Sequence, residues 1–209
     1  MQITSTSFQH GQPIPDVHAF CKADPETHLT FAGNRSPQLA WAELPAGTAS
    51  LAVICVDPDA PTVADDVNQE GRTVAAELPR GDFHHWVMVD IPPTCHGVDE
   101  GACGEGVVAR GKTEPCGPTG SRQGQNDYTG WFAGDADMEG SYLGFDGPAP
   151  PWNDERLHHY HFRLYALDVD QLPVTGAFTA ADVVAAMQDH ILEQAELVGT
   201  YTTNPALVS

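Results

Sequence analysis

The decapeptide VICVDPDAPT, residues 53–62, decides how this chain is read. An apolar, β-branched run ends in two carboxylates, Asp57 and Asp59, with Pro58 and Pro61 set among them. The run has the composition of a strand. The two prolines restrict the backbone and remove two amide donors, so the acids sit on a stiff segment. Such a segment either makes a tight turn or holds the acids for a ligand.

Working outward, the opening fifty residues alternate short apolar pieces with Gly, Pro and Asn, as in GQPIP, GNRSP and LPAG, which is the punctuation of β-structure. Three strong strands follow, at Ser50–Asp57, Phe83–Ile91 and residues 158–169. Thr179 and Asp182 form a helix-capping pair, and Val184, Met187, Ile191 and Ala195 recur at helical spacing. The spacing predicts one amphipathic helix running from Thr179 through about Val198.

Alternation along the strands assigns faces. Asp57 shares a side with Leu51, Val53 and Cys55, and His158 with Tyr160, Phe162, Leu164 and Ala166. His85 is expected beside Phe83, Val87, Val89 and Ile91, with His84, Trp86, Met88 and Asp90 on the reverse. Asp57 closes its strand, whereas His85 and His158 stand near the start of theirs. If the first strand runs antiparallel to the other two, all three groups converge at one end of the sheet.

The length of 209 residues suits one domain, 1–209, with a Gly/Pro-rich excursion at about 93–156. Nine basic against 29 acidic side chains give a formal charge of −20, which argues against nucleic acid and against stable association with anionic membranes. The N-terminal residues lack the pattern of a secretion signal, so a cytoplasmic location is expected. The five cysteines, at 21, 55, 95, 103 and 116, read as free thiols. Cys95, His96, Cys103 and Cys116 lack the CxxC-type spacing of a zinc site, and no cofactor is expected.

Several of these segments are familiar together. FQHGQPIP with GNRSPQLAW, SLAVICVDPDAPT, FHHWVMVDIP, GFDGPAPP, LHHYHFRLYALD and HILEQAELVGTY span most of the chain. In them the sequence resembles the phosphatidylethanolamine-binding protein family, in its bacterial branch similar to Raf kinase inhibitor protein. The resemblance implies a mainly β fold, an antiparallel β-sandwich with peripheral helices including an amphipathic C-terminal helix, and a small anion pocket at one end. Carried over by position, the pocket residues are Asp57, Asp59, His85, His158 and Tyr160, walled by Pro61, Gly147 and Pro148. Two departures stand out: His159 replaces the family's usual arginine, and the segment through GWFAGDADMEGSYL is longer than in typical bacterial members.

The function expected on these grounds is binding of a phosphate-type small anion or phospholipid head group, without catalysis. His85 and His158 would donate hydrogen bonds to the anion, and Asp57 would fix one imidazole. Relatives suggest regulatory inhibition of a kinase or protease and a homodimer. The rival reading is a metal-dependent hydrolase or oxygenase built on His85, His158 and Asp57.

Overall fold

The computed structural model of the protein describes residues 1–208. In chain order the strands are β1 (Gln2–Thr4), β2 (Cys21–Asp24), β3 (His28–Phe31), β4 (Leu39–Ala42), β5 (Ser50–Pro61), β6 (Arg80–Ile91), β7 (Gly97–Val98), β8 (Arg122–Gln123), β9 (His158–Leu167) and β10 (Ile191–Tyr201). The α-helices are α1 (Tyr128–Trp131) and α2 (Ala180–Met187), and Asp16–His18 forms one 3-10 turn. The main sheet has the order β10-β9-β5-β6-β8, a smaller one β1-β4-β7, and β2 pairs with β3 alone. All these pairings are antiparallel.

The main sheet is buried on both sides, which explains why β5 reads as a continuous apolar run rather than an alternating one. On one face Leu51, Val53, Cys55, Trp86, Phe162 and Leu164 pack against Ile3, Leu39, Trp41 and Val98 of the small sheet. On the other, Ala52, Ile54, Val87, Val89 and Tyr165 pack against Val183 and Met187 of α2. The result is a β-sandwich with a helix laid on its outer face, as the sequence leads one to expect. Trp86 has no exposed surface, and its truncation to alanine would cost about 3–5 kcal/mol.

The face assignments hold for β5 and β9 but not for β6. Cys55 pairs with Trp86 whereas Val56 pairs with His84, so His85 is the extra residue of a β-bulge. Beyond it the alternation is inverted: Trp86 and Met88 join the inner core, and Val87 and Val89 face α2. A second irregularity, between Leu51 and Val53 of β5, returns Ile91 to the inner side. Asp90 adopts φ +58° there.

The helix expected over 179–198 is also corrected. Its start is as read: Thr179 and Asp182 exchange hydrogen bonds in a capping box. It ends at Met187, and Ile191–Tyr201 is an edge strand registered along β9, from Ile191 opposite Leu167 to Tyr201 opposite His158. Val184 and Ile191, half of the helical stripe, are exposed. Pairing with the whole length of β9 outweighs a helical pattern that would bury only part of itself.

The excursion at 93–156 contains β7, β8 and α1 and is anchored on Asp146. That carboxylate is fully buried and accepts from Asn34 Nδ2 at 2.7 Å and Asn126 Nδ2 at 2.9 Å, and pairs with Lys112.

Candidate functional site

Because β5 is antiparallel to both β6 and β9, the end of β5 meets the beginnings of its two neighbours. Asp57, His85, His158 and Tyr160 meet at the floor of a cavity of about 240 Å³. Its walls are apolar, supplied chiefly by Phe20, Leu29, Phe83, Tyr128, Phe132 and Pro150. Phe31 and Trp131 stand at the mouth, 59% and 49% exposed. The long segment noted in the sequence therefore forms one side of this mouth, through Trp131 and Phe132.

On one side of the floor the histidine has both ring nitrogens committed. The His158 ring donates from Nδ1 to Asp57 Oδ2 at 2.7 Å and from Nε2 to Asp154 Oδ2 at 3.1 Å. Asp154 in turn accepts two bonds from the Arg80 guanidinium, at 2.6 and 2.9 Å. Asp57 Oδ1 accepts the Asp59 amide at 2.8 Å, the turn that the Asp-Pro-Asp sequence makes. Burial pushes the His158 pKa down, but the hydrogen bonds and charges of Asp154 and Asp57 outweigh it and carry it up to about 9. The ring is an imidazolium at neutral pH, and two carboxylates face two cations in electrical balance.

The other side is unsaturated. His85 Nδ1 donates to the Asp146 carbonyl oxygen at 2.8 Å. Its Nε2 has no partner among the described residues and belongs to the cavity lining. Burial lowers the pKa of this imidazole, and the carboxylates of Asp57, Asp127 and Asp146 only partly offset that. The Tyr160 ring meets His85 edge to face, with centroids 5.1 Å apart. Its hydroxyl is buried with no hydrogen-bond partner among the described residues. Burial first, and then the charge of Asp57, push its pKa far above that of an ordinary phenol.

Not every residue expected at the site is there. Pro61 lines the cavity, but Asp59 does not. Its carboxylate accepts from the His159 amide and ring at 3.0 and 2.8 Å and from Arg156 at 3.2 Å. Burial works to raise its pKa, but the bonds from His159 prevail and lower it. His159, in the place of the family's arginine, is thus a partner of Asp59 on the outer face. Gly147 and Pro148 do not line the cavity; the adjacent Ala149, Pro150 and Pro151 do. A Cβ at Gly147 would come within 1.9 Å of the His18 carbonyl oxygen, so glycine is required there for close approach. The expectation of two histidine donors to a ligand fails as well, because both nitrogens of His158 are already engaged.

Asp154 and Arg80 were not singled out in the sequence. A signal existed: Asp154 lies four residues before His158, and Arg80, one of only nine basic residues, opens the strand that carries His85. Cys21 lines the wall, but burial pushes its thiol up to about 11, leaving it protonated and a poor nucleophile. All five cysteines are unpaired. Among the described residues no three His, Cys, Asp or Glu side chains are placed to hold a metal ion. The His85–His158–Asp57 triple of the rival reading is therefore not assembled as a metal site, nor is the Cys95–His96–Cys103–Cys116 group. No helix among the described residues is long and apolar enough to cross a membrane.

Comparison with known proteins agrees with this architecture. The chain is 33% identical over 177 residues to a UPF0098 protein of Methanothermobacter thermautotrophicus, covering 85% of this chain and 89% of that one. It is 31% identical over 202 residues to the UPF0098 protein YbcL of Escherichia coli, covering 96% and 86%. The crystal structure of YbcL, described as a new member of the mammalian PEBP family, superposes with a TM-score of 0.69 at 30% identity, covering 96% of this chain and 97% of that one. CT736 of Chlamydia trachomatis, a putative phosphatidylethanolamine-binding protein homolog, superposes with a TM-score of 0.60 at 27% identity, covering 96% and 95%. The family model for phosphatidylethanolamine-binding protein matches residues 4–202, and with nearly the whole chain so matched the protein belongs to that family.

Proposed function

We propose that the protein binds small amphiphilic anions of the phosphate type, with the phosphate on His85 and Tyr160 and an apolar substituent against the ring-lined wall. One observation carries this reading. At the floor of an apolar cavity the Tyr160 hydroxyl and His85 Nε2 lack partners, while both ring nitrogens of His158 are engaged by Asp57 and Asp154. A buried hydroxyl left without a partner costs about 1–3 kcal/mol, a cost that a bound acceptor relieves. The family description, phosphatidylethanolamine binding, supports a phosphate-bearing ligand.

Magnitudes favour an amphiphile over a bare anion. Two hydrogen bonds to a charged group contribute roughly 3–6 kcal/mol, which corresponds to roughly 6 mM to 40 μM before association costs weaken it toward or beyond the millimolar end. A butyl chain adds about 0.8 kcal/mol per buried methylene, or about a hundredfold in affinity. Calorimetric titration with inorganic phosphate and with butyl phosphate tests this, and Trp131 fluorescence at the mouth supplies a second readout. Butyl phosphate should bind about a hundredfold more tightly. Equal affinities, or no heat with either, would sink the proposal.

A second reading rests on the exposed rings of Phe31 and Trp131 at the mouth. They suit a protein partner that inserts an apolar side chain, as inhibition of a kinase or protease would require. A ligand in the cavity would then compete with that partner.

A further inference from the structure

The opening of the cavity is bordered by three chain segments, 21–31, 62–72 and 127–139, which contribute Phe31, Val67 and Trp131 to its lining. Nine of the chain's 29 acidic side chains lie in these segments, against two of its nine basic ones. About a sixth of the chain thus carries nearly a third of its acid, and the rim has a net formal charge of −7. Of the two basic residues, Lys22 and Arg72, the second already faces Asp66 at 3.7 Å. Glu26, Asp65, Asp137 and Glu139 are exposed, with side chains that have no partner among the described residues.

Inside this rim the wall is ordered before anything enters. Phe31 meets Phe20 edge-on with centroids 5.8 Å apart, Phe20 stacks on Tyr128 at 4.5 Å, and Tyr128 stacks on Phe132 at 5.7 Å. Each ring holds its neighbour, so an entering side chain loses little affinity to ordering of the protein. An aromatic or branched aliphatic side chain extends this row of rings. The rings supply apolar attraction, and the rim supplies a sign.

We infer that the mouth docks a basic segment of another protein, one bulky apolar side chain entering the cavity while lysines or arginines lie over the acidic rim. This rests on the inserted side chain of the second reading above and adds the charge of what surrounds it. A second copy of the chain is a poor occupant, because it carries the same −20 and would set one acidic rim against acid. An anionic membrane surface is repelled for the same reason.

The test titrates four end-blocked heptapeptides into the intact protein by calorimetry at low salt. They are Lys-Lys-Gly-Phe-Gly-Lys-Lys, its counterpart with glutamate for lysine, and the same two with alanine for phenylalanine. The lysine peptide with phenylalanine should bind at least roughly tenfold more tightly than its glutamate counterpart and than its alanine counterpart. In about 1 M salt, where screening acts within about 3 Å, the two phenylalanine peptides should come within about threefold of each other. Glu26→Gln combined with Asp137→Asn should reduce the preference for lysine at least about twofold, and Trp131→Ala should do the same to the preference for phenylalanine.

Equal binding of the two phenylalanine peptides at low salt overturns the inference and leaves the inserted side chain standing. Equal binding of the phenylalanine and alanine peptides removes the inserted side chain itself, the attraction being then no more than that of any acidic surface. Absence of binding by all four overturns both. Sedimentation at the same concentrations should find a monomer, and a dimer dispersed by Trp131→Ala would give the mouth to a second copy and overturn the inference. Should that variant fold poorly, the four peptides on the unaltered protein decide the matter alone.

Discussion

The two histidines of the pocket face one cavity from strands on either side of β5, in opposite surroundings. His158 has both nitrogens bonded to carboxylates and is charged, whereas His85 has one nitrogen bonded to a carbonyl and is neutral. The same side-chain type is thus a keystone on one wall and an open contact on the other. Residue identity does not tell them apart; the number of committed nitrogens does. The His158 wall should govern stability, and the His85–Tyr160 wall should govern binding.

The largest effect expected is at the outer end of the saturated wall. Arg80→Met leaves Asp154 and the His158 pair with uncompensated buried charge, and urea unfolding should show a loss of about 3–5 kcal/mol. A loss under about 1 kcal/mol would mean that this wall does not hold the sheet end.

Next is the pH profile of stability. The folded His158 pKa of about 9 exceeds the ordinary imidazole value, so its contribution is complete below about pH 6.5 and fades as pH rises through about 9. The amount is on the order of 3 kcal/mol. At the acid end, burial raises the Asp154 pKa but the hydrogen bonds from His158 and Arg80 prevail and lower it. Its contribution is therefore present above the usual aspartate range and lost as pH falls through the lowered value. In His158→Gln the alkaline decline should disappear.

Tyr160→Phe reverses the relation between stability and binding. Removing an unpartnered buried hydroxyl should leave stability unchanged or raise it by up to about 1 kcal/mol, while butyl phosphate binds about tenfold more weakly. A clear loss of stability would show that the hydroxyl already has a partner. The smallest effect belongs to Asp59, whose partners His159 and Arg156 are partly exposed. Asp59→Asn should cost less than about 1 kcal/mol and leave ligand affinity as it was.

The convergence of Asp57, His85 and His158 was legible because the period of a strand is short and three strands end together. His85 nevertheless reached the pocket by a route that alternation alone does not supply. A strict two-residue period places it with Val87 and Val89, which face the helix; the bulge separates them. The strand at 191–201 reads as helix in sequence because Val184, Met187, Ile191 and Ala195 satisfy a helical stripe by themselves. Its partner strand lies more than twenty residues back, beyond any local window. The pairing of Asp154 with Arg80 lies outside a local window for the same reason, since it spans 74 positions, although each residue's place beside a pocket strand is a signal. Asp59 looked like a ligand group because it shares a motif with Asp57, yet the adjacent turn sends the two carboxylates to different sides.

The bulge also makes the receptor easy to silence. One residue fewer just ahead of His85 would let β6 pair regularly there, placing His85 opposite Val56 and His84 opposite Asp57. The imidazole anchored on Asp146 would then turn to the far side of the sheet, while Trp86 and everything after it kept their places. A single deletion at a strand's mouth can therefore blind the molecule to its ligand and leave the sandwich standing.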